Sequence, residues 1–234
     1  MTARPDRPRL LDLFCCAGGA ARGYQRAGWH VTGVDIRPQP RYAGDVFVRA
    51  DAIEYAAEYG HLFDAIHASP PCQFRCTLNR GTNRWRDHPD LIGPTRVVLD
   101  GLGVPYAMEN VPGSGIRRDV TLCGEMFGLL VTRHRYFELG FWSTAKPAHV
   151  AHRGRTIGWR HGEYFGPEDG AVYYAVYGDG GGKGTVAEWQ HAMGIDWTDQ
   201  RRELAEAIPP AYGQWIGDRL LAAVTGTAGA EQAA

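Results

Sequence analysis

Through the first half of the chain, short apolar runs alternate with segments of helical period. RLLDLF (9–14) predicts a strand, followed by the turn CCAGGAA and a helix from about Ala20 to Ala27. WHVTGVDI (29–36) predicts a second strand ending near Asp35, and VFVRA (46–50) a third. Asp51 then stands where it can N-cap a helix over 52–59. FDAIHA (63–68) predicts a fourth strand, which must stop at Ser69-Pro70-Pro71 because proline cannot continue a ladder. A polar, Arg-rich stretch follows to about Asp90. A helix near 90–101 and a strand over 105–109 come next. This βαβαβ rhythm predicts an α/β fold, a doubly wound sheet whose ligands sit at the carboxyl ends of the strands.

The second half is less regular. Residues 119–139 predict a hairpin ending in RHRYFEL. Residues 140–184 are rich in Gly, His, Arg and aromatics and show no helical period. Helices are predicted over 185–193 and 198–224, the second broken at Pro209-Pro210, with a frayed tail over 225–234. No long-period repeat is visible.

Composition narrows the class. Of 234 residues, 44% are hydrophobic and 22% charged, which suits a globular chain of one domain, or one with a small appendage. The 31 glycines follow no collagen period and point to tight turns or close backbone approaches. A net charge of −1 excludes a uniformly basic nucleic-acid coat but leaves room for a local basic face. Five cysteines, two of them adjacent (Cys15 and Cys16), argue against a secreted disulfide framework, so a cytoplasmic location is expected. The N-terminus lacks the apolar core of a signal peptide, and no apolar run is long enough for a membrane span.

Two constellations carry candidate chemistry. Gly18 and Gly19 follow a strand and precede a helix, a place where backbone can approach a ligand; a plain βα turn would look the same. Asp35, ending the second strand, can accept hydrogen bonds from ribose hydroxyls, and Asp51 is placed for a base amino group or as a bland helix cap. G-x-G-x-x-G is absent, so the cofactor need not be NAD. The second constellation is Ser69-Pro70-Pro71-Cys72-Gln73, which holds a thiol at a strand end; a thiolate there is a strong nucleophile. Glu109, ending the next strand, suits proton donation to a substrate under attack. Arg133 and Arg135 alternate, so a strand would turn both to one side with His134 opposite.

DLFCCAGGAARGYQRAG (12–28), SPPCQ (69–73), ENV (109–111), RHR (133–135), VAEWQHAMGIDW (186–197) and EAIPPAYGQWIG (206–217) occur in this order. Together they resemble the cytosine-C5 DNA methyltransferases, especially compact enzymes of phages and actinobacteria. The resemblance runs from Leu11 to about Leu220. It implies a Rossmann-like, class I methyltransferase sheet with S-adenosylmethionine as methyl donor. Phe14, Ala17, Gly18 and Gly19 would line the cofactor site. Asp35 would hold the ribose with Ile36 beside it, Asp51 with Ala52 the adenine, and Pro71 would lie close by. Cys72 would be the nucleophile, Glu109 the acid at cytosine N3, and Arg133 and Arg135 would surround the target base. Base flipping from double-stranded DNA is implied. Gln73, Arg75, Arg80, Arg84 and Arg86 would contact DNA from the mobile catalytic loop.

Four positions depart from the family: Cys16 for Gly, Phe74-Arg75-Cys76 for the usual Phe-Ser region, Val131 for Gln, and Ala205-Glu206 for Gly-Asn. Size departs further. The expected catalytic domain spans 9–137 and 185–224, leaving only 138–184 as a reduced target-recognition insert. That insert offers Arg153 and Arg155 as DNA contacts, and a short target follows. Extra DNA surface from a homodimer or a partner chain is the alternative. His149 and His152 could ligate a metal with Cys76 or Cys123, but only scattered cysteines back such a site, and no metal is expected. The competing functions are an RNA (tRNA) cytosine-C5 methyltransferase and a catalytically silent DNA-binding module.

Overall fold

A computed structural model of the chain describes residues 6–71, 90–160, 163–178 and 184–226. The strands are β1 (Arg9–Leu13), β2 (His30–Asp35), β3 (Val46–Arg49), β4 (Ala65–Ala68), β5 (Tyr106–Asn110), β6 (Val120–Leu122) and β7 (Arg135–Gly140). They form one sheet in the order β3-β2-β1-β4-β5-β7-β6. The first five run parallel, and β7 is antiparallel to both β5 and β6. Strand order reverses between β1 and β4, so a crevice opens above the carboxyl ends of those two strands. The doubly wound expectation is therefore met.

Side-chain alternation divides the polar from the apolar content. Leu10, Ala65, Ala107 and Phe137 face the layer built by α1 (Gly19–Arg26) and α6 (Pro210–Thr225). Leu11, Leu13, Ile66, Tyr106 and Met108 face α2 (Ala52–Tyr59) and α3 (Ile92–Leu102). By the same period Asp12, His67 and Glu109 lie on the α1–α6 face, and all three are buried.

That face accounts for several glycines. A Cβ on Gly19 would sit 2.3 Å from the Ile208 carbonyl oxygen, and one on Gly23 would sit 2.2 Å from that of Pro210. From α6, a Cβ on Gly213 would meet the Ala20 carbonyl at 2.5 Å. The first and last motifs are thus pressed together backbone to backbone.

The second half corrects two expectations. The predicted 119–139 hairpin is β6 and β7, but a 3-10 turn at Gly124–Phe127 intervenes and β7 begins only at Arg135. Arg133 lies before the strand with φ 33°, so the two arginines do not alternate along one strand face. The long C-terminal helix starts at Arg201, as α5 (Arg201–Glu206), and resumes as α6 with Pro210 as its first residue. Between β7 and α4 (Val186–Met193) the described residues carry a 3-10 turn at Pro167–Asp169 and four short strands: β8 (Arg155–Thr156), β9 (Gly158–Arg160), β10 (Glu163–Phe165) and β11 (Ala171–Tyr173). They pair as two separate ribbons, β9 with β10 and β8 with β11.

Candidate active site at the carboxyl edge of the sheet

The turn after β1 is wound by three left-handed residues: Phe14 (φ 60°), Cys16 (φ 46°) and Gly18 (φ 83°). Two of these carry side chains, a strained arrangement that the surrounding contacts hold in place. The Cys15 N–H donates to the Val34 carbonyl at 3.1 Å and the Cys16 N–H to Asp35 Oδ2 at 3.1 Å. The indole N–H of Trp197 donates to the Ala17 carbonyl at 2.9 Å, which ties the penultimate motif to this turn. Two departures from the family pattern meet here: the Cys16 thiol lies 3.9 Å from a carboxylate oxygen of Glu206.

Asp35 is buried at the end of β2, and its other oxygen accepts the Arg37 N–H at 2.9 Å. Ile36, immediately after it, is 64% exposed, an apolar side chain offered to whatever occupies the crevice. A carboxylate oxygen has two lone pairs, so Asp35 keeps acceptor capacity for hydroxyls. The chemistry of this donor set fits the ribose and base of a nucleoside cofactor. Gly18 and Gly19 answer chiefly to packing: a Cβ on Gly18 would meet the Ala43 amide at 2.8 Å, and Gly19 faces Ile208. Asp51 caps α2, its Oδ1 accepting the N–H groups of Ile53 (2.9 Å) and Glu54 (3.0 Å); Ala52 is buried behind it.

Glu109 is the centre of the second group. It is buried at the end of β5, where Arg135 Nε stands 2.8 Å from its Oε1. Burial pushes its carboxyl above the ordinary range, and Arg135, the Ser69 hydroxyl and Arg133 only partly offset this. Next in sequence, Asn110 donates from Nδ2 to the Pro70 carbonyl at 2.8 Å, anchoring the Ser69-Pro70-Pro71 segment beside Glu109. Cys72, Gln73, Cys76, Arg75, Arg80, Arg84 and Arg86 lie outside the described residues.

Behind Glu109 runs a buried polar chain that sequence reasoning missed. Tyr24 OH lies 3.0 Å from His67 Nδ1, and His67 Nε2 lies 2.8 Å from Ser69 Oγ. Ser69 in turn hydrogen-bonds the Glu109 carboxylate. Burial depresses the His67 pKa to about 3, so the imidazole is neutral, with one donor and one acceptor nitrogen. The chain therefore has one direction at a time. With Glu109 ionised, Tyr24 donates to Nδ1, Nε2–H to Ser69, and the Ser69 hydroxyl to Glu109. A protonated Glu109 keeps an oxygen that still accepts the Ser69 hydroxyl, which leaves its own O–H for the crevice. The available signal was the i, i+2 spacing of His67 and Ser69 at the end of a strand adjacent to that of Glu109.

The arginines divide. Arg135 faces Glu109. Arg133 Nε donates to Ala207 O (3.1 Å), and its terminal nitrogens donate to Val176 O (2.7 Å), Ala205 O (2.6 Å) and Ala207 O (2.7 Å). Four of its five N–H donors are thus engaged. Desolvation, reinforced by Arg135, lowers its pKa to about 9. It joins the β7 entrance to Val176 in the insert and to Ala205 and Ala207 at the last motif, and is a positioning residue in this arrangement.

No protein-family model matches the chain, and no curated protein is significantly similar to it in sequence. Solved structures resemble it in fold. A candidate DNA modification methyltransferase encoded within an E. coli prophage superposes with TM-score 0.59 at 13% identity, covering 93% of this chain and 99% of that one. This is a methyltransferase fold. The S. pombe Dnmt2 methyltransferase aligns with TM-score 0.57 at 16% identity (92% of this chain, 98% of that one). The Entamoeba histolytica methyltransferase EhMeth aligns with TM-score 0.56 at 12% identity, over 92% and 98% of the two chains. The methyltransferase fold thus agrees with the one implied by the resemblance to cytosine-C5 DNA methyltransferases.

Within this fold the expected residues of the crevice, Phe14, Ala17, Asp35, Ile36, Pro71, Glu109 and Arg135, all belong to segments at the carboxyl ends of β1, β2, β4 and β5 or the entrance to β7. Arg153 and Arg155 stand apart from them in the insert. Arg153 Nε is paired with Glu125 at 2.5 Å, whereas exposed Arg155 stacks on Phe165, 5.6 Å from the ring centroid. Among the described residues, no helix is long and apolar enough to cross a membrane.

Proposed function

We propose that the chain is an S-adenosylmethionine-dependent DNA cytosine-C5 methyltransferase. The observation that carries this reading is the buried Glu109–Arg135 pair beside a Pro70 carbonyl clamped by Asn110, in the segment that leads directly to Cys72. When bound, the sulfonium cofactor supplies the methyl group; Asp35 and Ile36 would hold its nucleoside end.

The rest of the chemistry belongs to side chains. Cytosine C5 is a weak nucleophile. Addition of the Cys72 thiolate to C6, with a proton delivered to N3 by Glu109, turns C5 into an enamine-like carbon. Burial raises the Glu109 pKa and so favours the protonated form that donates, and Arg135 steadies the carboxylate left behind. The Ser69 hydroxyl, donating to Glu109, also stabilises that carboxylate. After methylation the C5 proton passes to solvent, the thiolate is expelled from C6, and N3 returns its proton to the Glu109 carboxylate, which restores the aromatic ring. Residues 138–184 would supply target recognition, reading about two to four base pairs, because few side chains there can reach base edges.

Trapping tests the proposal. Duplex DNA carrying 5-fluorocytosine cannot release its C5 substituent, so the wild-type chain should form a covalent adduct in the presence of cofactor. Cys72→Ala should lose the adduct while still binding cofactor. An adduct with Cys72→Ala refutes the nucleophile. Methyl incorporation into tRNA but not duplex DNA assigns the chain to RNA instead.

A further inference from the structure

Outside the crevice, four side chains from three separate segments converge. Cys123 follows β6 and is buried; His134 lies between Arg133 and Arg135 at the entrance to β7; His149 and His152 come from the irregular segment before β8. One ligand atom from each lies within 4.8 Å of every other. Cys123 Sγ is 3.3 Å from His152 Nε2, and His134 Nε2 is 3.0 Å from His149 Nε2. The three imidazole centroids are 5.1–5.2 Å apart. A tetrahedral zinc with bonds of about 2.0–2.3 Å needs donor separations of roughly 3.3–3.8 Å, which these positions bracket. Two hydrogen bonds would account for the contacts only in pairs. A single ion accounts for all four donors together.

We propose that Cys123, His134, His149 and His152 form a zinc site that fastens the insert to the catalytic sheet. One thiolate and three imidazoles are a mixed sulfur–nitrogen set suited to tetrahedral Zn²⁺. Four protein ligands leave no open position, so the site is structural. Its surroundings are built to orient the ligands. The Glu125 N–H donates to the Cys123 sulfur at the start of the 3-10 turn. Tyr173 packs edge-on against His152, with centroids 5.9 Å apart, and its hydroxyl donates to Glu125 while accepting the Arg153 N–H at 2.8 Å. Such outer partners fix ligand geometry.

The physical need is plain. The segment 141–154 forms no strand or helix, and the ribbons beyond it are two or three residues per strand. So little structure cannot bury a core of its own, and a metal supplies what the missing apolar area does not. His134 also places the ion between Arg133 and Arg135, so the same bond that holds the insert fixes the turn from which Arg135 reaches Glu109.

The test uses the full chain and reads metal directly. Elemental analysis after incubation with zinc and desalting should give about one equivalent per chain. After chelation, Co²⁺ should restore a tetrahedral visible spectrum with a thiolate charge-transfer band. Cys123→Ser should lose that band. Exposed His149→Ala, with an unchanged circular dichroism spectrum, should weaken Co²⁺ binding at least ~100-fold, beyond the 10–100-fold cost of an outer-shell change. Cys76→Ser should leave both metal content and spectrum intact. Zinc content below about a tenth of an equivalent, a spectrum without the thiolate band, or unchanged affinity in a His149→Ala/His152→Ala double variant would each overturn the proposal.

Discussion

The carboxyl edge of the sheet and the insert between β7 and α4 solve one problem, holding polar side chains in fixed places, by opposite means. At the edge, Asp12, Asp35, His67 and Glu109 are buried on strands whose apolar neighbours fill two cores; hydrogen bonds hold Asp35 and His67, and an ion pair with Arg135 holds Glu109. In the insert the strands are very short, and order comes from the Arg153–Glu125–Tyr173 network and the Cys–His cluster. Burial makes the first region sensitive to any change of charge. The second rests on polar contacts together with a small apolar seat that includes Ala171, Tyr173 and Val176.

The largest effect should come from Glu109→Gln. The amide still accepts and donates hydrogen bonds at the N3 edge but delivers no proton, and general acid catalysis is worth ~10²–10⁴-fold. Single-turnover methylation should fall by that factor with DNA affinity kept. Near wild-type turnover would make Glu109 structural. Changes confined to the insert should instead move substrate affinity and leave single-turnover rates at saturation intact.

The same contrast explains what the chain made legible in advance. Strand endings at Asp35, Ser69 and Glu109 were readable because parallel strands are continuous apolar runs stopped by Pro or by polar residues. The cap at Asp51 was readable because it is local. Arg133 was misplaced because alternation presumes a strand, whereas its left-handed turn is imposed by carbonyls of Val176, Ala205 and Ala207, up to 74 residues away. The packing of Gly19 against Ile208 was not readable, because only the fold brings Ile208 to it. Three ligands of the cluster, Cys123, His149 and His152, were named as metal candidates, but without zinc-motif spacing no site was expected, and His134 was missed because it sits inside a pattern read for its arginines.

A smaller effect probes the buried chain behind Glu109. The folded pKa of His67, about 3, is depressed from its ordinary 6.5 by burial. Below 6.5 the unfolded chain takes up a proton that the folded chain refuses. Stability is therefore complete above that pH and is lost as pH falls towards 3, by up to about 1.4 kcal/mol per pH unit. Between pH 6.5 and 5 this single group should cost about 1.5 kcal/mol. Denaturant midpoints of wild type and His67→Gln, measured across that interval, should converge towards acid by this amount. Parallel curves would mean that His67 is solvated in the native state.

The smallest effect on stability, and the sharpest on the comparison, concerns the two insert arginines. They are alike in sequence, but the structure separates them. Arg153 is held by Glu125 in the network beside His152, so Arg153→Glu should set two carboxylates against each other and lower the melting temperature. Arg155 is exposed and its guanidinium lies over the Phe165 ring, an interaction worth roughly 0.5–1 kcal/mol at a surface. Arg155→Glu should therefore leave folding nearly unchanged. Its effect should fall on nucleic-acid binding. If Arg155 neutralises one phosphate, the slope of log affinity against log salt should become shallower by about 1, equally for all sequences. If it reads a base edge, the slope should hold and preference should relax at one position of the target, by about 1–3 kcal/mol. Titrating Arg155→Glu with duplexes of varied sequence at several salt concentrations separates the two. An unchanged slope with unchanged preference would remove Arg155 from the interface and move recognition to other residues of the insert.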